Sequence, residues 1–281
     1  MNLPNITYKQ QAIVELIYTY RFLNRTQIQG FMGHTDKRRI SAWLQDLRAK
    51  HYVEWIYDGH DFAKKTQPAI YYIGINGIRY LKKVNVMAEQ DIYPTDELHK
   101  RYRESGRSQS YIDRCQLIAD ACIALDKART DDTWYFYEAE AEYRRDSFFH
   151  FLTDSELIAP YLCFSKEFYD GGTSEPITLD TYFLEVFDPN YPRYRMRKCL
   201  KNYVQFFSED EWEYESEDEP SPSILFVCAT TSDLIYAKRS ARGFLAREWE
   251  REDDDRPSML FTTTQTLKQK GVLGEEAWEE A

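Results

Sequence analysis

Long apolar runs are missing from this sequence. No stretch reaches the ~18 residues a membrane-crossing helix needs, and the first residues lack the basic-then-apolar pattern of a signal peptide. No membrane partner is therefore expected. Cysteine is scarce and poorly placed for a staple or a zinc site. Its five copies, Cys115, Cys122, Cys163, Cys199 and Cys228, are odd in number, widely spaced and form no C-x-x-C pair, which argues for a reducing, cytoplasmic setting. The five histidines are scattered and make no metal-ligand cluster. Glycine, at 11 copies, is too dispersed for a G-x-x-x-x-G-K-[ST] phosphate loop or a dinucleotide fingerprint. No Ser-His-Asp or Cys-His arrangement stands out, and no resident cofactor is expected.

What the chain does have is charge, unevenly distributed. Residues 1–90 hold 13 Lys+Arg against 7 Asp+Glu, a net of +6, while the whole chain is −11, so residues 91–281 carry −17. A basic head on an acidic body points to nucleic-acid contact by the head. At 281 residues two domains are expected: a head over 1–84, a linker over 85–110 broken by Pro94 and Gly106, and a body over 111–281.

The head reads as three helices. Thr7 with Gln10 forms a capping box, after which Ile13, Leu16, Ile17 and Tyr20 recur at helical spacing. Asn24 and Gln27 form a second box, with Leu23 and Ile28 as a hydrophobic staple across it. Thr35 or Asp36 opens a third helix, 37–50, whose buried stripe is Ile40, Trp43, Leu44 and Leu47. At about 100° per residue its opposite face centres on Arg38, Ala42 and Gln45, flanked by Lys37, Arg39, Ser41 and Arg48. Such residues reach phosphates and base edges, with a small residue for close approach; a merely solvated amphipathic helix is the bland alternative. Two β-rich stretches follow, 52–57 and 69–74, joined by a loop carrying Lys64 and Lys65, and Asn76-Gly77 then turns into a short helix. Three helices and a hairpin with a basic tip are the order of a winged helix-turn-helix, a class that also includes protein-docking modules.

The body changes to an α/β pattern. A helix is expected over 111–128, a half-exposed strand over 134–143 with Glu138, Glu140 and Glu142 on one side, and strand material over 148–152 and 157–164. A central strand follows over 179–187, a basic helix over 194–207, a buried strand over 224–230, a helix over 233–249 and a last strand over 258–263. The segment 208–223, with eight acidic residues, reads as a solvated loop or as a DNA mimic competing for the head; the tail 275–280 reads as solvated too.

Helix, three strands, helix and strand, with Asp154 in the second strand region and Glu185 in the third, is the layout of a PD-(D/E)xK (restriction-endonuclease-like) core. Two carboxylates would hold Mg²⁺ and a lysine would activate water. Thr153 stands where that signature has Pro, and Phe187 where it has Lys; Lys198 or Lys201 from the next helix would have to serve. The competing reading makes Asp154 a turn residue and Glu185 a buried carboxylate paired with Arg195 or Lys198, since an unpaired charge in YFLEVF would be costly.

The chain resembles the replication-relaxation family, bacterial proteins implicated in plasmid replication and DNA relaxation. The likeness rests on QAIVELIYTYRFLNRTQI, RRISAWLQDLRAKHYV and AIYYIGINGIRYL in the head, and on FLEVFD followed by KCLKNYVQF in the body. It implies a DNA-binding accessory protein of a plasmid or mobile element, with double-stranded DNA as partner. A replication, mobilisation or other mobile-element protein, or a second copy in a homodimer, are further partners. The alternatives are a metal-dependent nuclease using Asp154, Glu185 and Lys198 or Lys201, and a winged-helix transcriptional regulator.

Overall fold

Two capping boxes start the first two helices in the computed structural model, which describes residues 3–57, 67–143, 149, 152, 155–170, 176–208, 221–249 and 257–281. The fold is mixed α+β and divides into two compact units, Met1–Ile123 and Ala124–Ala281.

In the first unit, Thr7 accepts from the Gln10 amide while the Gln10 side chain accepts from the Thr7 N–H, and α1 (Tyr8–Tyr20) begins there. Asn24 and Gln27 repeat the arrangement at α2 (Arg25–Phe31). Asp36 is the cap of α3 (Lys37–Ala49), accepting from the Arg38 N–H at 2.8 Å. Three strands follow the order β1–β3–β2: Leu23–Asn24, Ile70–Ile73 and Val53–Ile56, all antiparallel. The two-residue β1 is missing from the sequence expectation because so short a segment has no period to detect. Leu23, expected as a staple, also pairs with Tyr71 in this sheet. Lys64 and Lys65 lie outside the described residues.

Asn76-Gly77 is not a turn. It lies in the first turn of α4 (Ile75–Ala88), longer than expected. A Cβ on Gly77 would sit 2.4 Å from the Tyr52 carbonyl oxygen, so glycine here serves close packing of helix on chain. The segment 85–110, expected as a linker, contains the end of α4, then α5 (Thr95–Arg101) and a 3-10 turn at Glu104–Gly106. It belongs to the first unit, where Leu98 is buried and Tyr93 packs edge-on against Tyr18. Glu104 is fully buried, and Arg21 donates to its Oε1 from Nε at 2.9 Å and from Nη2 at 2.6 Å. The division into units falls inside α6 (Gln109–Ala128).

The second unit is built on a six-stranded sheet in the order β4–β5–β6–β7–β8–β9. β4 (Thr133–Ala139), β5 (Leu162–Phe168) and β6 (Thr178–Phe187) are antiparallel neighbours. β7 (Ser223–Cys228) and β8 (Met259–Thr263) run parallel to β6 and to each other. The last five residues of β6 and of β7 are all buried, the mark of strands covered on both faces. The crossovers β6–α8–β7 and β7–α9–β8 use α8 (Arg193–Ser208) and α9 (Thr231–Glu248). Leu200 and Val204 of α8 and Ala241 and Phe244 of α9 pack in one core with Phe183 and Phe226 of the sheet.

Three expectations need correction. The strand expected over 134–143 ends at Ala139, and Glu140–Tyr143 is a helical turn, α7. Glu142, expected to line a strand face, instead accepts from the Ala139 N–H at 2.8 Å, as a cap does. The strand expected from 157 begins at Leu162: the Ser155 hydroxyl accepts from the Leu157 and Ile158 N–H groups to make a turn, and Pro160 has no N–H for a ladder. The acidic tail is structured. After α10 (Thr264–Lys270) and a 3-10 turn, Glu279–Glu280 forms β9 against β8, and the Trp278 indole donates to the Val272 carbonyl at 2.9 Å. The backbone pairs while the Glu279 side chain stays exposed. The expected strand over 148–152 and the acidic stretch 209–220 fall largely or wholly outside the described residues.

Candidate nucleic-acid interface

Helix α3 forms because its cap, its absence of glycine and its apolar stripe agree. Ile40, Leu44 and Leu47 are fully buried, and that burial turns the opposite side to solvent. Lys37, Arg38, Arg39, Ser41, Ala42 and Gln45 are all exposed. All but Arg39 border an open depression of about 460 Å³, joined by Arg25 from the first turn of α2. Among the described residues none of Lys37, Arg38 and Arg39 pairs with a carboxylate. The one acidic group of the α3 N-terminus, Asp36, is engaged in capping. The Ser41 hydroxyl donates to the Lys37 carbonyl at 2.9 Å, which leaves its oxygen as an acceptor. Gln45 offers both donor and acceptor, as reading a base edge requires.

Arg48 behaves differently from its neighbours. It is half-buried, with its guanidinium 3.8 Å from the ring centre of Trp55 on β2. Trp55 is 39% exposed, lies beside Tyr57 (45% exposed) with ring centres 5.5 Å apart, and faces Tyr71 across the sheet. Burial raises the pKa of the Tyr71 phenol, opposed by the positive charges of Arg48 and Arg25. Arg25 and Arg48 thus both act on the buried Tyr71 phenol, and Arg48 lies against Trp55. The Arg48–Trp55 contact fixes the guanidinium plane at little entropic cost.

Sequence reasoning found the α3 face but missed Arg25, Trp55, Tyr57 and Tyr71. Arg25 directly follows the Asn24 cap, so its place at a helix start was available as a signal. The aromatic ledge had none: the strand period sets Trp55 on the same face as the buried Val53, and only the β2–β3 register brings Tyr71 opposite it.

In the second unit, Glu185 is 6% exposed and accepts from the Tyr203 hydroxyl at 2.9 Å. The expected partners do not reach it. Arg195 is exposed with its Nε bonded to the Tyr194 hydroxyl, and Lys198 is exposed as well. The physical reason is helical phase: α8 turns Met196, Leu200, Tyr203 and Val204 to the sheet, which puts Lys198 and Lys201 on its outer side. Burial, then the Glu185 charge, pushes the Tyr203 phenol and the Cys199 thiol well above their ordinary pKa values. Asp154 lies outside the described residues. Among the described residues no cluster of three or more His, Cys, Asp or Glu side chains is placed to hold a metal ion, and no helix is long and apolar enough to cross a membrane. No protein-family profile and no curated protein sequence matches this chain.

Proposed function

We propose that the first unit is a winged helix that binds double-stranded DNA through α3, and that the protein is a DNA-binding accessory factor of the replication-relaxation kind, acting for a plasmid or other mobile element. The observation that carries this reading is the exposed α3 face, where cations surround Ala42 and Gln45 at an open depression and, among the described residues, Lys37 and Arg38 meet no carboxylate. Helix α3 enters the major groove. Arg38, Ser41 and Gln45 meet base edges or phosphates, and Arg48, held flat by Trp55, grips the flanking backbone.

A gel shift with the full chain tests this. Arg38→Ala with Arg48→Ala weakens duplex binding by about 1–3 kcal/mol for each base interaction removed, and parent-like affinity would remove α3 from the interface. Affinity of the parent also falls steeply with added salt, since released counterions drive phosphate binding.

A second reading is favoured by the order of elements in the second unit: three antiparallel strands, a helix, then a strand parallel to the third. That is the order of a restriction-endonuclease-like core. In this reading the core serves as a scaffold; Tyr203 donates to Glu185, and Lys198 and Lys201 of α8 are exposed. Incubating supercoiled plasmid with Mg²⁺ or Mn²⁺ decides the matter. Nicking that disappears in Asp154→Asn/Glu185→Gln would make the protein a nuclease.

A further inference from the structure

The second unit is strongly acidic, with 34 Asp+Glu against 18 Lys+Arg over Ala124–Ala281, yet nine of those 18 cations sit on two adjacent helices. α8 carries five cations and no acid, and α9 carries four with only Asp233 and Glu248. Both helices pack on the same core with their apolar sides inward, so the cations line a shared outer surface. Arg193, Arg197 and Lys201 recur every four residues, one step per turn, spaced about 6 Å along the helix. The first two meet α9: Arg193 donates to the Ser232 hydroxyl at 3.2 Å and lies over Tyr236, and Arg197 lies over Phe244. Arg247 approaches the same Phe244 ring from α9. Lys198, Arg239 and Arg242 are exposed beside this seam.

Like charges so close repel, and a unit with a large surplus of carboxylates has ample means to neutralise them. At the margin of this surface Lys238 pairs with Glu279 at 3.0 Å. Among the described residues none of Arg193, Arg197, Lys198, Arg239, Arg242 and Arg247 pairs with a carboxylate. Arg195 is bonded to the hydroxyl of Tyr194, which is 68% exposed amid these cations.

We propose that the α8–α9 surface is a second nucleic-acid contact, which takes the phosphate backbone of DNA independently of α3. Three features favour phosphate over an acidic polypeptide. Arginine, whose forked donors match phosphate oxygens, outnumbers lysine. The repeat along α8 suits a regularly spaced polyanion. Tyr194 adds an exposed ring of the kind that packs on sugars and bases.

The test uses the full chain carrying Arg197→Ala/Lys198→Ala/Arg239→Ala/Arg242→Ala, with thermal melting to verify folding, alone and on the Arg38→Ala/Arg48→Ala background. The probes are a mixed-sequence DNA duplex and poly-glutamate, titrated across salt. Binding to duplex is expected to weaken about tenfold or more at low salt, and the slope of log affinity against log salt to drop by about 0.9 for every phosphate no longer neutralised. The six-fold substituted protein loses residual binding that either set alone retains. Parent-like affinity and slope in the α8–α9 variant would overturn the proposal, as would unchanged duplex binding with poly-glutamate binding abolished. If instead the α3 variant is parent-like and only the α8–α9 variant fails, the α3 reading falls and this one stands.

Discussion

Each unit buries a glutamate, and the side chains seen to meet the two differ. Glu104 in the first unit is fully enclosed by guanidinium groups: Arg21 at 2.6 Å, Arg107 at 3.7 Å and Arg101 at 3.8 Å. Glu185 in the second lies in an apolar core and takes a hydrogen bond from the neutral Tyr203 hydroxyl, while the cations of α8 remain outside. The first arrangement draws positive charge inward and ties the segment after α5 back to the end of α1. The second leaves positive charge on the surface, where an external anion can meet it. A buried ion cluster stabilises only if its charges balance, and burial with the like charge of Arg21 already holds the Arg101 guanidinium below its usual pKa.

The largest expected effect comes from breaking the first arrangement. Glu104→Gln keeps the shape but leaves Arg21 and Arg101 buried with less counter-charge, so the first unit loses about 3–5 kcal/mol of stability in urea unfolding. A loss below about 1 kcal/mol would mean that water reaches the cluster. The second arrangement is milder. Tyr203→Phe removes a hydrogen bond to a charged group and costs about 1.5–3 kcal/mol. Glu185→Gln keeps an acceptor for Tyr203 while removing a buried charge, and changes stability by less than about 1 kcal/mol. If Glu185→Gln proves the more damaging, Glu185 is held by charge as Glu104 is, and the contrast fails.

The smallest effect concerns a surface pair in the first unit. Hydrogen bonds from Lys50 and then Gln10 hold the Asp46 carboxyl below its ordinary pKa. A lowered folded-state pKa means stability present at neutral pH and lost as pH falls through that lowered value. With 43% of the side chain exposed, screening keeps the contribution under about 1 kcal/mol. Asp46→Asn therefore flattens the acid limb of the stability profile slightly and leaves stability at alkaline pH otherwise parallel to the parent. An unchanged acid limb would show the Gln10–Asp46–Lys50 hydrogen bonds to be energetically silent.

Much of the first unit was legible because local rules act there. Thr7/Gln10 and Asn24/Gln27 each form a complete capping box within four residues, and the stripe Ile40–Leu44–Leu47 fixes which side of α3 faces out. The exposed cations followed from that phase alone. The segment 85–110 was not legible: the burial of Glu104 depends on Arg21, far away in sequence, and no local pattern encodes such a pair. In the second unit, β6 and β7 declared themselves as continuous apolar runs. The end of β4 did not, because a carboxylate from Glu142 caps the chain where alternation still suggested a strand.

Sequence by itself determined the charge segregation, the helix starts, the outward face of α3 and the two buried strands, since each depends on neighbours within a turn or a strand. Tertiary structure alone decided that β1 joins the small sheet, that Arg25 and Trp55 lie beside the α3 face, that the acidic tail closes the large sheet, and that the Tyr203 hydroxyl reaches Glu185. Those outcomes depend on register and packing between segments remote in the chain, where a single-residue shift in strand pairing or about 100° of helix rotation changes every partner.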